Sequence, residues 1–160
     1  MREYGQVQSA FWQSTDGQSL SDSGKLLFLY ILTGPHANGI GCYRVPNGYV
    51  MEDLSWTLER VSEVSSEVSS KGLLRHFGDV VFIPNFLRWN VISKGNVAAA
   101  RFKEFEGLPK GEAKSLVARA MLEFCECWTT DQKRVLEDSS KTLQRVSTVE
   151  PNPTQPNPDP

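Results

Sequence analysis

From Leu26 to Leu32 every position of the segment SDSGKLLFLYILT is apolar, and the run lies between a serine that can cap a helix and the breaker pair Gly34-Pro35. Ser21 offers its hydroxyl to the first free backbone N–H groups, and Asp22 suits the positive end of the peptide dipoles. The pattern predicts a helix apolar on most sides, which belongs in the centre of a small domain and is too short to cross a bilayer. The next segment, GIGCYRVP, sets Ile40, Cys42 and Tyr43 between glycines and a proline, the signature of a short edge strand. In NGYVMEDLSW, Tyr49, Val50, Leu54 and the adjacent Trp56 line one side of a short helix.

A second amphipathic helix follows in TLERVSEVSSEVSSKGLL. Leu58, Val61, Val64 and Val68 recur at intervals of three, three and four and form a buried stripe, leaving Thr57, Arg60, Glu63 and Glu67 facing away from it. Gly72 stands where a helix closes with a left-handed residue. Two short helices joined by a tight turn make a helix-turn-helix candidate. LLRHFGDVVFIP completes the unit as a small hairpin turning at Gly78-Asp79. In NFLRWN, Phe86, Leu87 and Trp89 carry enough apolar mass to pack the chain back on the core, where Trp56 also belongs; Trp12 is expected to tack the N-terminal segment to the domain.

Two further helices are predicted. Asn96 caps one that runs through Glu106 with Ala98, Phe102 and Phe105 on one side, ended by Gly107 and Pro109. The other spans Gly111 to Trp128, where Ala113, Leu116, Val117, Ala120, Met121, Phe124 and Trp128 form an apolar face that must be covered by something. Beyond Thr130 the pattern weakens, although Val135, Leu136, Leu143 and Val146 allow a helix that is frayed or stabilised by a partner. The closing EPNPTQPNPDP alternates proline with polar residues, can form neither ladder nor helix, and is expected to be disordered or loosely polyproline II.

The order of helix, short strand, two helices and hairpin is that of a winged helix, and the fold expected is mostly helical α+β: a winged helix-turn-helix over 1–93, a helical extension over 94–146 and a disordered Pro/Asn-rich tail over 147–160. MREYGQVQSAFW, LSDSGKLLFLYILTGPHANGIGCYRVPNGYVMEDLSW, LERVS and VFIPNFLRWN together resemble the N-terminal domain of bacteriophage and prophage replication proteins. The resemblance rests on several segments and covers roughly the first 95 residues. It implies a winged helix, a replication-initiator or replisome-organiser role, and DNA binding.

On that reading the helix from Thr57 enters the major groove of double-stranded DNA with its first turn near base edges and phosphates. Thr57 and Arg60 are the first contacts expected, Ser62, Ser66 and Lys71 their neighbours, and Arg75 and His76 the backbone contacts of the hairpin. Arg88, Lys94, Arg101 and Lys103 form a second basic set. The plain alternative is a core helix with a solvated outer face, since Glu63 and Glu67 stand one turn apart and repel phosphate.

Charge sharpens the conflict. The chain of 160 residues carries a net −2, with a pI near 5.7, so any attraction for nucleic acid must be local. Residues 1–92 hold seven Lys and Arg against nine Asp and Glu, residues 93–149 hold ten against eight, and residues 150–160 hold none against two. The positive excess therefore sits in the helical extension.

Enzymatic chemistry finds no foothold in the pattern. No glycine-rich phosphate loop with its Lys-Ser/Thr is present, neither His36 nor His76 stands in a triad or metal spacing, and no cofactor or metal is expected. Cys42, Cys125 and Cys127 do not make a disulfide framework and read as buried or semi-buried thiols in a reducing compartment. The N-terminus lacks the apolar core of a signal peptide and no run approaches a membrane span, so a cytoplasmic location in a bacterial host is expected. The expectation is a non-enzymatic phage-type replication protein. Its C-terminal helices self-associate through the Gly111–Trp128 helix or recruit a replication partner. A protein-interaction module with little intrinsic DNA affinity and a transcription regulator remain open beside it.

Overall fold

Four helices begin at hydroxyls that their sequences offer as caps. The computed structural model describes residues 5–141; the expected proline-rich tail, with Leu143 and Val146, lies outside them. After a 3-10 turn at Ser9–Gln13, Ser14 caps the short α1, Thr15–Ser19, by accepting from the Gly17 N–H. Ser21 caps α2, Asp22–Thr33, by accepting from the Gly24 N–H at 3.0 Å, and Leu27, Phe28 and Ile31 are buried along it. Such caps each contribute about 1 kcal/mol. The apolar segment is not buried on every side, because Leu26 is exposed.

Strand β1, Cys42–Arg44, follows a loop held by Asn38, whose side chain donates to the Cys42 carbonyl and accepts from the N–H groups of Ile40 and Cys42. The Tyr43 hydroxyl donates to the Ile31 carbonyl, tying β1 to α2. Helix α3, Asn47–Leu54, is linked to α2 by the Tyr30 hydroxyl donating to Asp53 Oδ2 at 2.6 Å, and burial first, then this carboxylate, pushes the Tyr30 pKa up. Its Val50 is buried, but Tyr49 is exposed and stacks on His36 instead of lining the core. The turn to α4, Leu58–Ser70, passes through Ser55 in the left-handed region (φ 54°), and Trp56 is buried just after it.

Strands β2, Arg75–Phe77, and β3, Val80–Phe82, close a hairpin over Gly78-Asp79. Gly78 adopts φ +62°, which the tight primed turns of hairpins demand at their first position and a side chain resists. The sheet is antiparallel in the order β1-β3-β2, with Tyr43 and His76 both opposite Val81. One-turn α5, Phe86–Trp89, buries Phe86 and Leu87 but turns Arg88 and Trp89 outward, so Trp89 is 54% exposed and not the core anchor expected of it. Trp12 is likewise exposed; Phe11, packed on Phe28, is the ring that holds the N-terminal segment.

Helix α6, Gly95–Glu106, buries Ala98, Phe102 and Phe105 as expected, although its N-cap position is Lys94 and Asn96 falls inside the first turn. Helix α7, Glu112–Phe124, stops four residues before Trp128, and Cys125 and Cys127 continue in extended chain. Burial pushes the Cys42 thiol up to about 12 and also raises Cys125. Helix α8, Thr130–Ser140, opens with a reciprocal capping box between Thr129 and Gln132 and buries Leu136 completely against the rest of the chain.

The described residues are thus mostly helical α+β with one small antiparallel sheet. A continuous set of buried side chains runs from Leu20 to Leu136, and α7 packs on α5, α6, β3 and α8. Val117, Ala118 and Met121 are fully buried and Leu116 and Phe124 are partly so, which means much of the apolar face of α7 is covered by its own chain. No helix among the described residues is long and apolar enough to cross a membrane.

Candidate nucleic-acid interface

Helix α4 is fixed on the core by Val61, Val64 and Val68, each contributing about 1.5 kcal/mol or more through burial. Leu58, expected in the same stripe, is 48% exposed: it lies in the first turn, where the helix is only beginning to approach the core. The Thr57 side chain accepts from the Arg60 N–H at 3.3 Å, so the residue expected as first DNA contact is the N-cap of the helix. Gly72, at φ +70°, ends the helix as its sequence predicts.

One flank of α4 is bound to α2. The Glu67 carboxylate accepts from the Ser21 backbone N–H at 2.6 Å and from the Ser21 hydroxyl at 2.7 Å. These bonds, the backbone one first, hold the Glu67 pKa below the usual carboxylate range, aided by the charges of Lys71 and Lys25. Gly24 makes the approach possible, since a Cβ there would lie 3.0 Å from Glu67 Oε1. On the same flank the Arg60 guanidinium lies 4.5 Å from the centre of the Trp56 ring and donates from Nη2 to the Ser23 hydroxyl at 2.9 Å. Glu67 is therefore a second cap for α2, held ionised near the surface, and Arg60 is turned toward α2.

The opposite flank faces the hairpin across an open groove of about 320 Å³ lined by Asn47, Ser62, Ser65, Ser66, Ser69, His76 and Gly78. Three of the residues expected to touch DNA, Ser62, Ser66 and His76, converge here. Ser66 donates to the Ser62 carbonyl at 2.9 Å, as helical serines do, and Ser69 Oγ is buried without a hydrogen-bond partner among the described residues. His76 has its pKa lowered by desolvation, which favours the neutral ring. The groove thus offers hydroxyls, an amide and a neutral imidazole, and no formal charge.

The cations expected nearby are mostly engaged. Arg75 pairs with Glu112 of α7 at 2.8 Å and lies over Phe77, so the hairpin arginine is neutralised by the helical extension. Arg44 pairs with the turn residue Asp79 at 2.9 Å. Arg101 pairs with Glu104 at 2.7 Å, and Glu104 Oε2 accepts from the Gly39 N–H, so this pair docks α6 on the loop before β1. Arg88 leans on Trp89, and Lys71, Lys94 and Lys103 are exposed. The two surface ion pairs offset part of the positive charge of Arg44 and Arg75 along the hairpin side. Glu59 and Glu63 stay exposed on α4; the free backbone N–H of Glu59 and the Thr57 hydroxyl lower the Glu59 pKa.

Asn47, Ser65, Ser69 and Gly78 belong to the groove although the sequence reading did not single them out. The signal was present: Ser62, Ser65, Ser66 and Ser69 repeat at the three-and-four spacing of a helix face, a hydroxyl stripe beside the valine stripe. No protein-family model matches the chain, and neither a curated protein nor a solved structure matches it.

Proposed function

We propose that α2 to β3 form a winged helix, that α4 is its recognition helix, and that the chain is a non-enzymatic phage-type replication protein binding duplex DNA along the α4–hairpin flank. The observation that carries this reading is the groove itself. It brings Ser62, Ser66 and His76 together between the third helix and the hairpin of an element order whose sheet runs β1-β3-β2. Winged and helix-turn-helix proteins lay this helix in the major groove, where hydroxyls and amides contact base edges and phosphates. The bonds from Ser21 to Glu67 support the reading further, because they hold that carboxylate toward α2 and away from the hairpin flank.

With few free cations beside the groove, the electrostatic share of binding is small. Two or three phosphate contacts give a log–log salt slope of about −2 to −3, shallow for a DNA-binding protein. Anisotropy titrations of labelled duplexes over a range of salt check this, and absence of saturable binding at low salt overturns it.

A second reading has its own support. Glu59 and Glu63 on the outer face, with Arg44 and Arg75 both paired, suit a basic protein partner such as another replication component. It predicts that the duplex fails to bind and that a partner's affinity falls when Glu59 and Glu63 become Gln. A regulator of transcription would use the same docking unit as an initiator and differs from it only in the DNA site chosen.

A further inference from the structure

The groove between α4 and the hairpin has a composition that bears on which base it can read. Among the described residues its lining holds four serines, Gly78, the ring of His76 and Asn47, and no Lys, Arg, Asp or Glu. Asn47, the first residue of α3, is exposed, and its side chain makes no hydrogen bond with any described residue. Its carboxamide therefore presents a donor and an acceptor side by side. The other polar groups choose less. A serine hydroxyl can give or accept, and a neutral imidazole offers one N–H, which suits N7 of either purine. Beyond its chain neighbours, no heavy atom lies within 4 Å of where a Cβ would stand at Gly78, so the hairpin turn leaves the groove open to a base edge.

In the major groove guanine shows two adjacent acceptors, O6 and N7, and is read by the paired donors of arginine or lysine. Adenine shows the N6 amino donor beside the N7 acceptor, the complement of a carboxamide. Asn47 set against guanine would bring its own carbonyl oxygen toward O6. The arginines of this part of the chain do not line the groove. Arg44 is paired with Asp79, Arg75 with Glu112, and Arg60 donates to Ser23.

Resting on the reading that this flank binds duplex DNA, we propose that the groove selects adenine at one position of its site through Asn47. Oδ1 accepts from the N6 amino group and Nδ2 donates to N7, while the serines contact neighbouring positions without choosing between bases. A bidentate pair of this kind discriminates against a wrong base by roughly tenfold.

The test uses the full chain to select from duplexes with a randomised central stretch at low salt. The wild type is expected to enrich adenine at one position. Asn47→Ala should lose that preference and keep the rest of the selected sequence. Asn47→Asp, an acceptor only, should move it to cytosine, which shows the N4 donor. In the enriched duplex, 7-deazaadenine at that position removes the N7 acceptor and should weaken the wild type by roughly fivefold while leaving Asn47→Ala unaffected. Duplexes retained with no base preferred, or an adenine preference that Asn47→Ala keeps, overturn this inference and leave DNA binding standing. Guanine at that position overturns it in favour of Arg44 or Arg75 leaving its ion pair. Retention of no duplex at all overturns the DNA-binding reading and this inference with it.

Discussion

The two flanks of α4 belong to one thirteen-residue helix composed, after Leu58, of Ser, Glu, Arg and Val, yet they do opposite things. The flank toward α2 is fully committed: Glu67 caps a neighbouring helix through two hydrogen bonds, and Arg60 lies on Trp56 and donates to Ser23. The flank toward the hairpin makes no such tie to another element among the described residues: its serines face an open groove, and the Ser69 hydroxyl has no hydrogen-bond partner among the described residues. Glu67 and Arg60 bind a neighbouring helix, while the neutral side chains line the groove that we propose as the binding edge. Charge on a helix surface can thus serve the fold when a neighbouring helix offers a cap to satisfy.

Both flanks hang on the valine stripe, so the largest effect comes from its removal. Val68→Asp buries a carboxylate without a partner and is expected to cost more than about 3 kcal/mol, read as collapse of the urea midpoint, with both flanks lost together. Glu67→Ala separates them. It removes the cap on Ser21 at a cost of about 1–2 kcal/mol, while duplex affinity should rise by no more than it does for Glu63→Gln. Because the folded-state pKa of Glu67 is depressed, its contribution is complete above the unfolded carboxylate value of about 4.3. It is lost as pH falls through the lower folded value. The difference in urea midpoint between wild type and Glu67→Ala should therefore shrink only in acid below that value.

On the open flank the signature reverses. Ser62→Asp with Ser66→Asp is expected to change stability by less than about 0.5 kcal/mol. The same pair of changes should weaken duplex binding roughly tenfold at low salt, about threefold for each added charge. Glu63→Gln removes one exposed charge and should strengthen binding by roughly threefold. The smallest effect is that of His76, whose ring titration followed by NMR should have its midpoint below the ordinary histidine value of about 6.5. Since that lowered pKa disfavours the charged ring in the folded state, the fold loses a little stability as pH drops below the ordinary value and keeps it above.

Much of the architecture was legible because it follows from local patterns. The Ser21 cap, the helix end at Gly72, the two-residue turn at Gly78-Asp79 and the buried valines of α4 and face of α6 all stand where spacing put them, whereas the Thr57 cap was not foreseen. What was illegible depends on distant partners. Nothing near Glu67 in sequence announces Ser21, nor does anything near Arg75 announce Glu112. Trp89 illustrates another limit: a bulky apolar ring looks like core, but a helix of one turn can turn only part of its surface inward. The serine stripe has the period of the valines beside it, but hydroxyl periodicity on a helix does not by itself distinguish a lined groove from a solvated face.

The central claim is that the hairpin-facing flank of α4 is the working edge and the α2-facing flank is structural. Mapping backbone amide shifts of the ¹⁵N-labelled chain during addition of duplex DNA tests it most directly. The account predicts the largest shifts at Ser62, Ser66, His76 and Gly78, with Arg60 and Glu67 little moved. Shifts centred on Arg60 and Glu67 or on residues 88–103, or no shifts at saturating duplex and low salt, would contradict it.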